Sequence, residues 1–175
     1  MTRGLTLGAS GDATGGAAPP VLVRSGGLED VSEALDLIEG AIEHACRHQY
    51  DAAQRRAVYL GYATSLFIDA AGSFELWIAE RDGGLAGVAQ LDPSCGGLRA
   101  LFVGAAFQGQ GVGRVLLSTI EARARAAGCT RLGGAMSLNA VPFYAGAGFR
   151  PVGGPERLLT AGVRVPIVRM EKRLR

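Results

Sequence analysis

The spacing of apolar residues changes period along this chain, and each change marks an element. "VLVRSG", residues 21–26, reads as a short strand. From Leu28 the period becomes helical. Val31, Leu35, Ile38 and Ile42 predict a helix over 28–50, with Glu29 and Asp30 where the helix dipole favours acids. Gly40 weakens that helix without ending it. Asp51 is a candidate N-cap for a second helix, and Ala52, Tyr59, Tyr62 and Leu66 share one of its faces. The period then falls to two. "SFELWIAE" alternates Phe74, Leu76 and Ile78 with Glu75, Trp77 and Ala79. Asp82-Gly83 is a hairpin signal, "LAGVAQLD" returns, Cys95-Gly96-Gly97 turns again, and "LRALFVG" is a third strand.

A glycine-rich stretch, "FQGQGVGR" at 107–114, precedes the next helix. That helix carries the stripe Val112, Leu116, Ile120 and Ala124, with Arg114, Glu121, Arg123 and Arg125 turned mainly to solvent and Gly128 as its stop. "CTRLGGAMSL" is a strand, and "NAVPFYAGAG" a short helix with Asn139 as cap and Pro142 in its first turn. "FRPVG" and "VRVPIVRMEKRL" predict a closing hairpin. The order βααβββαβαββ predicts an α+β domain over residues 21–175. Residues 1–20 hold few large apolar groups and predict a flexible tail.

Composition narrows the function. Of 175 residues, 48% are hydrophobic and the net charge is +2, too weak for a nucleic-acid coat or a membrane-surface binder. Cys46, Cys95 and Cys129 form no CxxC pair and predict reduced thiols in a cytoplasmic protein. No apolar run reaches spanning length, and no signal-peptide core is present in the first twenty residues. His44 and His48 stand at a metal-pair spacing but lack a third ligand, so no metal is expected. Cys95 has no activating neighbour in sequence, and Trp77 reads as core.

The glycine stretch carries the candidate chemistry. A P-loop needs Gly-Lys-Ser or Gly-Lys-Thr, and neither occurs. A dinucleotide fingerprint needs GxGxxG and an acid about 20 residues on. Here Gly109, Gly111 and Gly113 give GxGxG, and the following strand has no acid. Two readings remain open: a tight turn, or a nest. In the nest, the amides of Gln108, Gly109, Gln110, Gly111, Val112, Gly113 and Arg114 hold a phosphate, assisted by the helix dipole.

Gln108-x-x-Gly111-x-Gly113 between a strand and a helix resembles the acyl-CoA signature of the GNAT superfamily of N-acyltransferases. "SLNAVPFYAGAGF" and the ending "VPIVRMEKRL" are similar to that family's second half, and the resemblance runs from about Phe74 to Leu174. It implies a mixed, mainly antiparallel sheet flanked by helices. It implies transfer of acetyl from acetyl-CoA, the acyl-donor cosubstrate, to a primary amine through a direct ternary complex. The strand "LRALFVG" would splay from "CTRLGGAMSL" at a wedge or bulge near Gly133 and Gly134, where Leu101 and Val103 offer backbone groups to the pantetheine arm. Asn139 would help hold that arm, and Tyr144 would protonate the departing thiolate, its ordinary pKa near 10 being close to a thiol's.

No acid stands on "LRALFVG", so Glu75, Glu80 and Asp92 are the candidate bases beside a water relay. His44, His48, Tyr50 and Tyr62 are candidates to touch the acceptor. Gly146 departs from the family pattern and loosens the helix that carries Tyr144. A monomer or homodimer is expected, with no nucleic-acid or membrane partner. The other reading is a degenerate domain that binds CoA as a sensor without catalysis.

Overall fold

The computed structural model describes residues 20–69 and 74–175, and side chains in that span except those of 65–69. The predicted tail lies outside the described residues but for Pro20, and so does the side chain of Leu66. Strand β1 (Leu22–Ser25) leads into helices α1 (Val31–Ala45) and α2 (Ala52–Asp69). Strands β2 (Glu75–Arg81), β3 (Gly84–Asp92) and β4 (Gly97–Val103) form the meander. Helix α3 (Val112–Ala126), strand β5 (Arg131–Ser137) and helix α4 (Val141–Gly146) follow. The chain closes with β6 (Arg150–Pro151), β7 (Glu156–Thr160) and β8 (Val163–Arg173).

All eight strands join one sheet in the order β1-β2-β3-β4-β5-β8-β6, with β7 also on β8. Every pairing is antiparallel except β4 with β5. Helices cover both faces. On one, α1 and α2 bury Ile38, Ile42 and Ala57 against Ile78, Val88 and Ile167. On the other, α3 and α4 bury Leu116, Ile120 and Tyr144 against Ala89, Leu132 and Met170. With helices on both sides, β2 and β3 bury residues of either parity, so alternation alone names no solvent face. No helix among the described residues is long and apolar enough to cross a membrane.

Local chemistry accounts for most boundaries. Asp82 (φ 55°) and Gly83 (φ 75°) are both left-handed, the geometry of a two-residue hairpin turn that keeps Arg81 paired with Gly84. Asp51 caps α2 reciprocally: its Oδ1 accepts from the Gln54 amide at 2.8 Å, and Gln54 Oε1 accepts from the Asp51 amide at 3.2 Å. Gly128 ends α3 as expected, with φ 83°. Gly40 sits exposed inside α1, and a Cβ there meets nothing within 4 Å. Gly40→Ala should therefore raise unfolding free energy by about 1 kcal/mol, read from urea denaturation. No change would mean that α1 is held by packing alone.

Several sequence-based expectations need correction. The closing hairpin is β7–β8, turning at Ala161-Gly162, and β6 is only a two-residue edge piece beside it. β7 escapes sequence reading because "ERLLT" is a half-exposed edge strand, with Leu159 72% exposed. Glu121 faces inward rather than to solvent, because Lys172 Nζ at 2.6 Å and Arg125 at 3.2 Å neutralise its carboxylate. Asn139 does not cap α4. It lies in a 3-10 turn (Leu138–Ala140), and Ala140 occupies the cap position.

Candidate functional site

β4 and β5 run parallel but touch at one register only, Gly97 opposite Gly133, where the Gly133 amide donates to the Gly96 carbonyl at 3.0 Å. Glycine is required at that contact. A Cβ on Gly96 would collide with the Arg131 carbonyl, and one on Gly134 with the Leu98 carbonyl. Beyond it the strands part. A bulge at Arg99, which has no partner on β3, bends β4 at the same level. β5 stays in regular register with β8, so Gly133 and Gly134 mark the base of a wedge and not a bulge.

The wedge opens into a cleft of about 570 Å³. Leu101 to Val103 of β4 form one wall, and Ser137, Asn139 and Tyr144 another. The glycine loop and the start of α3 form its mouth, and Ala41, Ala45 and Cys46 of α1 close its side. Of the residues singled out in the sequence, Leu101, Val103, Gln108, Gly109, Gly111, Val112, Gly113, Arg114, Asn139 and Tyr144 all line this cleft. Gln110 does not: its side chain donates to the Ala106 carbonyl at 2.7 Å.

At the mouth, Gly109 (φ 74°) and Gly111 (φ 87°) adopt the left-handed backbone that lets consecutive amides face one way. The amides of residues 108–113 make no well-formed hydrogen bond among the described residues. The Arg114 amide differs: it donates to the Gly111 carbonyl at 3.0 Å as α3 begins. Arg114 therefore offers its exposed guanidinium and not its amide. Together with the positive end of the α3 dipole, these donors make the mouth an anion-attracting surface.

Deeper in, Tyr144 is 4% exposed, its ring set edge-on against Phe143 and Phe149. Burial pushes its phenol well above the ordinary value, and Tyr62 adds to that. Tyr144 therefore stays protonated and can donate, but it is a weaker acid than its type suggests. Gly146 ends α4 and leaves the ring in place, since the Phe149 amide returns to the Tyr144 carbonyl at 3.0 Å. Asn139 Oδ1 accepts from the Cys46 thiol at 3.2 Å, tying α1 to the far wall. Burial pushes that thiol up to about 11, so it is no nucleophile at neutral pH. Gln108 Nε2 donates to the Val103 carbonyl at 3.2 Å, joining the loop to β4.

The candidate bases and acceptor contacts lie elsewhere. Glu75 pairs with Arg123 of α3, Glu80 with Arg24 of β1 at 2.7 Å, and Asp92 accepts from Ser94 in the β3–β4 turn. Those bonds to Ser94 hold the Asp92 carboxyl below its ordinary value. Among the described residues, no carboxylate or histidine lines the cleft. His44 and His48 are exposed, and Tyr62 packs edge-on to Phe102. Tyr50 is a buried clamp: its hydroxyl donates to the Pro166 carbonyl at 2.7 Å and accepts from the Leu138 amide at 2.9 Å. Tyr50→Phe leaves both half-buried backbone groups without that partner and should cost about 1–3 kcal/mol of stability in urea melts. A loss below about 0.5 kcal/mol would mean that water replaces the hydroxyl.

Sequence reading missed Cys46, Ala41 and Ala45. Ala41 and Ala45 do stand one turn apart on the face that carries Ile38, but small residues on an apolar face read as ordinary helix packing.

A mainly antiparallel sheet, parted between its two parallel strands with a glycine cradle at the following helix, defines a GNAT-type fold. Residues 41–174 match the family model described as the acetyltransferase (GNAT) domain, and the chain belongs to that family. Solved structures share the fold. A GCN5-related N-acetyltransferase (aminotransferase, class-II) from Rhodopseudomonas palustris aligns with TM-score 0.80 at 24% identity, over 90% of this chain and 97% of that one. The PaiA N-acetyltransferase of Thermoplasma acidophilum, in complex with coenzyme A, aligns with TM-score 0.65 at 15% identity, over 88% and 99%. YncA of Salmonella typhimurium, a putative acetyltransferase with its cofactor acetyl-CoA, aligns with TM-score 0.62 at 18% identity, over 89% and 95%. No curated protein matches the chain significantly by sequence.

Proposed function

We propose that this protein transfers an acetyl group from acetyl-CoA to a primary amine through a direct ternary complex. One observation carries the reading: a run of amides at the head of α3, with no well-formed hydrogen bond among the described residues, opens directly onto the parted β4 and β5. An anion cradle joined to a slot between strands suits a ligand with a pyrophosphate and an extended amide-bearing arm.

In this reading the amides of Gln108, Gly109, Gly111, Val112 and Gly113 and the Arg114 side chain hold the pyrophosphate. The exposed edge of β4 at Leu101 and Val103 pairs with the pantetheine amides, and one of those β4 amides stabilises the oxyanion that forms at the thioester carbon. Asn139 positions the arm beside Cys46. The neutral amine attacks the thioester carbonyl, the C–S bond breaks as Tyr144 donates its proton to the sulfur, and the proton that the nitrogen sheds as the amide forms returns through water to the phenolate. The attacking ammonium must first lose a proton. With no acid or histidine among the described lining residues, water carries that proton out of the cleft.

That same lack of a base favours a second reading, a domain that binds CoA and signals its presence without catalysis. A panel of amines assayed for acetyl-CoA-dependent thiol release separates the two. Amine-dependent release above the rate without enzyme supports the transferase. Cofactor binding with no release across alkyl amines, aryl amines, amino acids and peptide N-termini supports the sensor.

A further inference from the structure

Arg81, the last residue of β2, is a buried cation that the chemistry above does not use. It is 7% exposed. Its Nη1 donates to the Gln110 carbonyl at 3.1 Å, and its Nε is buried with no partner. No carboxylate among the described residues pairs with it, although nine ion pairs form among them. A guanidinium largely withdrawn from water with no carboxylate beside it carries a desolvation cost, and the partial negative charge of one carbonyl does not balance it.

The Gln110–Gly111 peptide is trans, so its C=O and N–H point in opposite directions. The carbonyl is drawn to Arg81, which does not line the cleft, while Gly111 does line it. The Gly111 N–H therefore faces away from Arg81, on the ligand side of the loop. Gly111 is glycine for this conformation and not for space, because its φ is 87° and a Cβ there meets nothing within 4 Å. Its own carbonyl accepts from Arg114 and Val115, so the next peptide is fixed as well. A charged donor on the carbonyl also polarises the peptide and strengthens its N–H as a donor.

We propose that Arg81 is a positioning residue for the anion cradle. Its guanidinium fixes and polarises the Gln110–Gly111 peptide so that the Gly111 N–H meets the pyrophosphate of CoA, an inference that rests on the acyl-CoA reading of the cleft. The bound pyrophosphate then lies across that peptide from Arg81, so the two opposite charges meet the two ends of one peptide dipole.

The test compares two ligands, one with the pyrophosphate-linked nucleotide and one without it. Calorimetry gives Kd for CoA and for S-acetyl-pantetheine, which has the arm alone, on the wild type and on Arg81→Met, Arg81→Gln and Arg81→Lys. Arg81→Met should weaken CoA about tenfold or more, as expected for a lost bond to a charged group. It should change S-acetyl-pantetheine less than about twofold, since that ligand does not reach the loop. Lysine should restore most of the CoA affinity and glutamine only part, because glutamine keeps a donor but no charge. In the wild type, the Gly111 amide proton should move downfield in NMR spectra as CoA is added.

Equal losses for both ligands, full affinity for CoA in Arg81→Met, or an unmoved Gly111 amide would each overturn the assignment. If Arg81→Met does not fold, the other variants and the wild-type amide shift decide. Wild-type protein that binds neither ligand defeats the acyl-CoA reading itself, and this inference with it. Wild-type binding of CoA with no response to Arg81 defeats this inference alone.

Discussion

Gly113→Leu should weaken acetyl-CoA binding at least about 100-fold and leave the fold standing. Gly113 lies in the first turn of α3 and lines the mouth of the cleft. A Cβ there meets Phe143 and the Val103 Cγ2 at 3.4 Å, which is ordinary contact. Alanine therefore fits, and a leucine body must extend into the cleft between the cradle and β4. Overfilling of this kind costs roughly 1–3 kcal/mol. Here the cost falls on the bound state, because the unliganded cleft has room. With the close approach of a pyrophosphate also lost, Kd for acetyl-CoA should rise at least about 100-fold, equivalent to about 2.7 kcal/mol. The variant's own melting temperature should move little, since leucine is a better helix former than glycine. Calorimetry beside thermal denaturation checks both halves. Unchanged binding would place the cofactor elsewhere.

The second large effect is on turnover. Tyr144→Phe should lower kcat about 100-fold, in the range for loss of a positioned acid, with Kd for acetyl-CoA unchanged within about twofold. The substitution is clean. The ring packs on Phe143 and Phe149, and the hydroxyl makes no hydrogen bond among the described residues, so phenylalanine keeps the packing. The pH–rate profile gives an independent check. Burial holds the Tyr144 phenol above its ordinary 10.0, so its loss of the proton should produce no falling limb at or below pH 10. A full rate in Tyr144→Phe would move the proton donor to solvent.

The glycine-lined mouth of the cleft was legible in the sequence because backbone geometry there admits few residue types. Left-handed φ at 109 and 111 demands glycine, and so do the close approaches at 96 and 134 that set the base of the wedge. The Asp82-Gly83 turn and the α3 stripe were legible for similarly local reasons. Other features depend on neighbours far away in sequence. Arg81 looks like an ordinary charge beside a turn until its partner 29 residues on is known. Glu121 reads as solvent-facing until Lys172, 51 residues later, comes to meet it. Cys46 meets Asn139 across 93 residues, and nothing in its helix period marks it. Glu75 and Glu80 look available as bases, yet Arg123 and Arg24 already hold them. Residue type and spacing report what the chain does within a turn or a loop. They say little about which distant charge completes a site.

The central claim is that the cleft between β4 and β5 holds acetyl-CoA. Its most direct test is thermal denaturation of the wild-type protein with increasing acetyl-CoA. A ligand present at 100 times its Kd adds about 2.7 kcal/mol to stability, so the midpoint should climb by several degrees and continue to rise with the logarithm of concentration. A midpoint that stays fixed up to millimolar acetyl-CoA would contradict the account.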